Sequence, residues 1–196
     1  MRKVFVLIGF LLGAAAIAEE ARVSWQIDPA HSSVAFAVRH LMVSNVRGEF
    51  TQFSGTVTSV AQRPETAVVE VTIETSSINT RNADRDKHLR SADFLDVEKF
   101  PTITFKSKKV QLHGQNRATV VGDLTLHGVT KEVSLDVELS PVVKDPMGNL
   151  RVGAHAVTTI KRKDYGINWS RILDTGVLVV GDDVQVILDV ELMARL

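Results

Sequence analysis

Residues 119–139 read TVVGDLTLHGVTKEVSLDVEL, and this stretch decides the class of fold. Even positions from Val120 to Leu126 are apolar or glycine, odd positions from Val133 to Leu139 are apolar, and His127-Gly128 lies between the two runs. Alternation of this kind is typical of half-buried β-strands, and a short turn with glycine joins antiparallel strands. The stretch therefore predicts two antiparallel strands around a tight turn.

The same alternation continues along the chain on both sides of this stretch. Turn-forming sequences separate the runs, among them Gly114-Gln115-Asn116 and Asp145-Pro146-Met147-Gly148-Asn149. At least eight short strands with short connections predict an all-β barrel or sandwich. The connections carry no helical crossover pattern, which argues against a parallel sheet. Further alternating runs occupy residues 23–27, 34–40, 67–74, 103–106 and 184–192.

Residues 76–101 interrupt the alternation. Asn82 and Ser91 suit the N-cap position of a helix, and acidic residues follow each of them. This pattern predicts two short helices, an insertion near residues 82–98, before Pro101 returns the chain to a strand. An insertion of this length between strands either serves the function or plugs one end of a barrel.

The first 18 residues predict a secretory signal peptide. A basic start with Arg2 and Lys3 precedes an apolar run, which ends in Ala16-Ile17-Ala18. The run from Val4 to Ala18 is shorter than the ~20 residues of a membrane span. We therefore expect cleavage after Ala18, export to the periplasm and a single domain over residues 19–196, with a retained N-terminal anchor as the alternative.

Charge and cysteine content exclude several classes of protein. The chain has 23 basic and 23 acidic residues, and loss of residues 1–18 would leave 21 against 23. Such a balance lacks the basic field that drives non-specific nucleic-acid binding, so no nucleic-acid partner is expected. The chain contains no cysteine, which excludes disulfides, thiolate metal sites and a cysteine nucleophile.

No catalytic or metal-binding motif stands out in the sequence. The six histidines do not have the spacing of a zinc site on one helix, and H-E-x-x-H, G-x-S-x-G and phosphate-binding glycine motifs do not occur. A site assembled from different strands remains open. We expect a protein without catalytic residues, cofactor or resident metal.

A barrel of about eight strands either holds one elongated apolar ligand or fills its lumen with side chains. Composition alone does not choose between these, but small residues in the strands are one hint in favour of a cavity, because they leave either room in the lumen or space for a close approach between sheets. The small residues concerned are Ala35, Ala37, Gly48, Gly55 and Gly122.

Several longer motifs, in order along the chain, resemble the YceI-like family of bacterial periplasmic proteins. The resemblance is most specific in GDLTLHGVTK at 122–131 and extends from Trp25 to Glu191. The other matching segments are WQIDPAHS at 25–32, VAFAVRH at 34–40, VRGEF at 46–50, FSG at 53–55, DKHLRSADFLD at 86–96, FPTITFKS at 100–107 and KDYGI at 163–167.

The resemblance implies a lipocalin-like, eight-stranded antiparallel barrel with a short helical insertion. It further implies an elongated apolar pocket for a polyisoprenoid or other long-chain lipid, frequent homodimerisation and export. Lipid transport or storage, handling of quinone precursors and a stress response are the roles that it suggests.

Strand parity and the matched motifs together select the residues expected to bind such a ligand. For the head group we select His40, His88 and Arg162, with a helix-anchoring role for His88 and a rim ion pair for Arg162 as alternatives. Trp169 is expected either to cover an opening or to pack a loop. The residues expected to line the lumen are Phe36, Val38, Phe50, Val71, Ile73, Ile103, Phe105, Leu124 and Leu126.

Two other functions are compatible with the same sequence. One is an enzyme or isomerase that acts on a lipid-like substrate and uses His40 or His88 as acid and base. The other is a structural partner of a membrane-bound redox or transport protein. A non-catalytic lipid-binding barrel is the leading hypothesis.

Overall fold

The computed structural model of the protein describes residues 21–194, so the predicted signal peptide over residues 1–18 lies outside the described residues. The α-helix of this part of the chain is α1 (Ala83–Arg90). Its strands are β1 (Arg22–Ile27), β2 (Ser33–His40), β3 (Ser44–Phe50), β4 (Phe53–Val60), β5 (Arg63–Glu74), β6 (Ile78–Asn79), β7 (Thr102–Leu112), β8 (Arg117–Leu126), β9 (Val129–Leu139), β10 (Val143–Lys144), β11 (Leu150–Lys161) and β12 (Val180–Ala194).

The strands close into a barrel with eight walls. β1 and β2 form one bent wall around the 3-10 turn Pro29–His31, and β3 with β4 and β5 with β6 form the next two. β7, β8, β9, β11 and β12 supply the other five walls, and β10 flanks β11. β11 pairs over its whole length with residues 183–194 of β12, and the other edge of β12 pairs with β2 and β1. The predicted eight-stranded antiparallel barrel is confirmed, and the sandwich alternative is wrong.

The stretch that decides the class of fold forms the hairpin of β8 and β9. Its register runs from Arg117 opposite Glu138 to Leu126 opposite Val129. His127 and Gly128 both have positive φ, 52° and 73°, which is the conformation of a two-residue type I′ turn. Because this turn matches the twist of the strands, the local sequence sets the register of the whole hairpin.

The up-and-down order of the walls sorts the connections between them into two groups, one at each end of the barrel. The helical end consists of the turn 41–43, the segment 80–101, the turn 127–128 and the segment 162–179. The hairpin end consists of the turns 61–62 and 113–116 and the segment 140–149.

Helix α1 is short and polar, so its neighbours hold it in place. The Asn82 side chain caps it by accepting from the backbone N–H of Arg85 at 2.9 Å, as predicted. The buried Asp86 carboxylate accepts from the backbone N–H of Thr80 at 2.9 Å and from its hydroxyl at 2.5 Å. Arg90 donates to the backbone carbonyl of Ile78 at 2.6 Å. These bonds fasten the helix to the end of the third wall.

The second helix predicted after Ser91 does not form. Ser91 is the C-cap of α1, and its backbone N–H and hydroxyl both donate to the His88 carbonyl. Leu95 and Val97 then donate to the carbonyls of Leu89 and Arg90, so the segment folds back and satisfies the free end of α1. The prediction failed because one local pattern serves equally well to start a helix and to end one.

The densest core lies at the helical end. The insertion contributes Phe94 and Leu95, and the segment after β11 contributes Tyr165 and Ile167. Burial raises the pKa of the Tyr165 hydroxyl. Together these residues form a plug that closes the helical end of the barrel. Closing one end is one of the two roles expected of the insertion. The complete cluster consists of Ile78, Phe94, Leu95, Ile103, Leu126, Ile160, Tyr165 and Ile167.

Candidate ligand-binding cavity

A cavity of about 640 Å³ lies inside the barrel. Sites for small molecules in proteins usually measure about 300–1,000 Å³, so the space suits one ligand of that size. Its lining is almost entirely aliphatic and aromatic, because the inward-facing positions of the strands are the apolar ones. Among the described residues, the polar side chains in the lining belong to Ser59, Gln115, Ser140, Thr158 and Arg162.

All nine residues that strand parity and the matched motifs together predicted to line the lumen do line it. Parity succeeds here because a strand sends successive side chains to opposite faces, so one correct assignment fixes its neighbours at i±2. These residues are Phe36, Val38, Phe50, Val71, Ile73, Ile103, Phe105, Leu124 and Leu126.

Two of the strand glycines accommodate aromatic rings. A β-carbon at Gly48 would lie 2.4 Å from Cζ of Phe36, and one at Gly122 would lie 2.6 Å from Cζ of Phe105. The rings therefore occupy the space that these glycines leave, which is the close-approach alternative. The lumen is hollow elsewhere, toward the hairpin end, where inward residues such as Leu135 and Val190 remain only half-buried.

The residues predicted to bind a head group do not gather at one point of the cavity. His40 is half-buried in β2 opposite Ser44 and Val180, and it lies outside the lining. His88 also lies outside the lining, and its Nε2 is 2.9 Å from an oxygen of Asp93. The geometry of His88 agrees with the helix-anchoring alternative.

Trp169 packs the plug instead of lining the cavity. Its ring centroid lies 5.2 Å from that of Phe94 and 5.3 Å from that of His88. The His88 ring stands edge-on to both aromatic rings. The three rings form one layer that covers the helical end, so Trp169 seals that end of the barrel and packs a loop at the same time.

Arg162 lines the helical end of the cavity, but its guanidinium is bonded elsewhere. Nε donates to the Gly181 carbonyl at 2.9 Å, and Nη1 donates to the carbonyls of Ile167 and Trp169 at 2.8 and 2.6 Å. Nη2 pairs with Asp182 at 3.0 Å. Arg162 is only 4% exposed, and burial lowers its pKa. These bonds hold the segment after β11 against β12. They leave few of the five N–H groups of the Arg162 guanidinium for the predicted head-group contact.

The sequence of the chain matches a known family. Residues 25–192 match the YceI-like domain. The chain belongs to the YceI-like family. A UPF0312 protein of Staphylococcus aureus is 44% identical over 163 residues, which are 83% of this chain and 92% of that protein. The family resemblance noted from the sequence motifs is therefore confirmed.

Solved structures carry the same barrel. A YCEI protein of Campylobacter jejuni superimposes with a TM-score of 0.69 at 31% identity, covering 81% of this chain and 90% of that one. BcnA of Burkholderia cenocepacia gives 0.72 at 24% identity over 84% and 98% of the two chains. A polyisoprenoid-binding domain from Saccharophagus degradans gives 0.62 at 19% identity over 88% and 99%. The last two, at these identities, show the fold alone.

The hairpin end of this YceI-like barrel contributes lining residues that the sequence analysis missed. Leu112 ends β7, whereas Gln115, Pro141 and Val142 come from connections between strands, and all four are exposed as well as facing the cavity. Leu112 has the same parity as Val110, which could have identified it. The other three lie beyond the strands, where parity no longer predicts direction.

An ion cluster around Arg151 lies on the outside of the same barrel. Arg151 donates to Asp145 and to Asp28, each at 2.8 Å, and also contacts Glu191. The guanidinium lowers the pKa of Asp28 to about 2 and lowers that of Asp145 as well, while Asp28 raises the pKa of His31. Ligand atoms of Asp28, His31 and Glu191 lie within 4.8 Å of one another, but Arg151 already forms ion pairs with both carboxylates of this group. We interpret the cluster as a brace between β1, β11 and β12.

Within residues 21–194, no helix has the length and apolar character needed to cross a membrane.

Proposed function

We propose that this YceI-like protein binds a polyisoprenoid or other long-chain lipid in its lumen and carries it without chemical change. The observation that carries the proposal is the apolar cavity of about 640 Å³. A polar or charged ligand would leave its own groups unpaired in such a lining, which is costly, whereas a hydrocarbon chain loses nothing by leaving water.

The size of the cavity sets the size of the ligand. If each carbon group takes about 30 Å³, the share of one molecule in liquid water, 640 Å³ holds about 20 carbons. Burial of ~20 such groups at ~0.8 kcal/mol each contributes roughly 16 kcal/mol before the costs of immobilising a flexible chain. Aliphatic contacts discriminate by length and shape alone, so the protein should prefer chains that fill the lumen.

The orientation of the ligand follows from the two ends of the barrel. The plug closes the helical end, and Arg162 is tied to backbone carbonyls there. Gln115 and Ser140 are lining residues that also reach the surface at the hairpin end. We therefore infer that the tail enters through the hairpin end and that a small polar head group stays there, near Gln115.

The carrier role and the location are parts of the same proposal. Among residues 21–194, no carboxylate, imidazole or amine that could serve as general acid or base lines the cavity. This supports binding without catalysis. The three-part pattern of residues 1–18 supports export to the periplasm, where a lipid between two membranes needs a carrier.

The test is to purify the exported protein without detergent and to identify any bound lipid by native mass spectrometry and organic extraction. We expect a discrete added mass that extracts as an isoprenoid or another long-chain lipid. In a second arm, geranylgeraniol is added to protein stripped of lipid. Trp25 lines the cavity, so a Trp169→Phe variant, which keeps Trp25 as the sole tryptophan, should change its emission on binding. Protein that is free of lipid and takes up no prenol would refute the proposal.

A further inference from the structure

The hairpin end of the barrel carries a group of exposed apolar side chains. We call this group, Leu112, Val142, Val143 and Met147, the apolar rim. Their exposed fractions are 40%, 55%, 56% and 80%, respectively. Leu112 ends β7, and the other three lie in the segment between β9 and β11. Exposed apolar clusters on soluble domains mark contacts with a membrane or another molecule.

The apolar rim is continuous with the lumen. Leu112 and Val142 both line the cavity and reach the outer surface, and Pro141 does the same beside them. A hydrocarbon chain can therefore pass from the outside of the molecule into the cavity along apolar surface. A rim of this kind is useful only if it faces an apolar medium, because each exposed side chain is otherwise hydrated at a cost.

Hydrogen bonds hold the most exposed part of the rim away from the barrel. One oxygen of Asp145 accepts from the backbone N–H groups of Met147 and Asn149, each at 2.9 Å. Its other oxygen accepts from Nε of Arg151 at 2.8 Å. The turn is thus pre-formed with Met147 at its tip, and Met147 does not fold back onto the adjacent apolar wall. Insertion of this tip into another phase would require little reordering of the backbone.

Basic side chains accompany the rim. Lys144 follows Val143 directly and is exposed, and Lys109 is exposed on the outer wall three residues before Leu112. Neither lysine forms an ion pair within residues 21–194. Apolar residues flanked by lysine are typical of segments that lie in the interface of an anionic bilayer, where the cation pairs with phosphate groups.

We propose that the apolar rim docks into the surface of an anionic lipid bilayer and opens the cavity directly to the acyl layer. The purpose of this docking rests on the proposed lipid-binding function, although the docking itself does not require a bound ligand. The physical advantage is kinetic. A lipid tail moves from the bilayer to the lumen without exposure to water, so the transfer avoids the free-energy cost of hydrating the tail.

The opposite end of the barrel provides a matched control. Met42, Val43, Ile172 and Leu173 are also exposed apolar residues, but none of them lines the cavity. Replacing three residues at either end by serine removes a similar amount of apolar surface. The two triple variants therefore separate docking by the rim from non-specific adhesion of exposed apolar groups.

The experiment measures flotation of the mature protein with vesicles of phosphatidylcholine alone or mixed with phosphatidylglycerol. We expect wild-type protein to float with the mixed vesicles. The variant with V142S, V143S and M147S should bind them at least about tenfold more weakly. The control with M42S, V43S and I172S should behave as wild type, and K144E should weaken binding to the mixed vesicles only. Equal loss in both triple variants, or wild-type protein that stays in solution with both vesicles, would overturn the docking proposal.

Two further measurements separate docking from the proposed function. Val142 lines the cavity, so these measurements use a double variant, V143S and M147S, whose two residues lie outside the lining. Its binding of dissolved geranylgeraniol, followed through Trp25, should be the same as that of wild type, whereas its extraction of the prenol from vesicles should be slower. If wild-type protein binds dissolved prenol but does not float, docking alone is refuted. If it floats but binds no prenol, the proposed function alone is refuted. A rim variant that changes the oligomeric state and leaves flotation intact would assign the rim to contact with a second copy and overturn docking.

Discussion

Shortening the lumen should change the preferred chain length of the ligand. Ala154 lines the cavity from β11 and is half-buried, so Ala154→Leu adds about three carbon groups to space that a ligand would otherwise occupy. At about 0.8 kcal/mol per displaced group, a chain that fills the cavity loses about 2.4 kcal/mol, or about 50-fold in Kd. A chain about half as long has unused space beside it, so its affinity should stay the same or improve slightly.

The assay is a titration with geranylgeraniol, whose ~20 carbons match the cavity, and with geraniol, which is about half as long. Trp25 emission in a Trp169→Phe background reports binding for both ligands. Ala92 is exposed in the segment after α1, so Ala92→Leu adds the same side chain outside the lumen and should leave both affinities unchanged. If Ala154→Leu weakens both prenols equally, or weakens neither, the reasoning that the ligand fills this lumen is wrong.

Three other outcomes follow from the packing and the charges. Arg162→Met removes the hydrogen bonds that the guanidinium donates to buried carbonyls and should lower the free energy of unfolding by about 3–5 kcal/mol, measured by urea denaturation; unchanged stability would contradict the bracing role. Gly122→Ala brings a β-carbon within 2.5 Å of the β7 backbone and should cost about 1–3 kcal/mol, whereas Gly153→Ala, with 3.4 Å to its nearest neighbour, should be close to neutral in the same assay. Because Arg151 lowers the pKa of Asp28 from 3.8 to about 2, this ionised pair stabilises the fold above pH 3.8, and the stabilisation disappears as the pH falls toward 2. The melting temperature of Arg151→Met should therefore fall less steeply than that of wild type over that pH range. The same pH dependence in both proteins would argue against the cluster as a brace.

Local patterns predicted most of the barrel wall because each depends on near neighbours in the chain. The β8–β9 hairpin needs only alternation and the His127-Gly128 turn, and the nine predicted lumen residues follow from parity within a strand together with the family motifs. The segment after Ser91 was mispredicted because its bonds go back to carbonyls of α1, a choice that the local sequence does not reveal.

The candidate head-group residues illustrate the limit of such patterns. Arg162 stands in the charged run Lys161-Arg162-Lys163-Asp164 at the end of β11, and its chemistry suits an anion as well as a ring of backbone carbonyls. Gly181 and Trp169, which provide two of those carbonyls, approach it only when the segment after β11 folds against β12. The motifs alone thus suggested a ligand contact where the fold builds a brace.

The amino-acid sequence by itself determined the family, the all-β class, the register of the hairpins and the side of each strand that faces inward. Those properties depend on periodicity and turn chemistry, which act over a few residues. Tertiary structure alone decided that the lumen stays hollow at the hairpin end, that glycines at positions 48 and 122 give their space to aromatic rings, and that apolar loop residues surround the opening. Whether a barrel is hollow or filled depends on the total volume of the inward-facing side chains that distant strands contribute. A local sequence pattern does not predict that total volume.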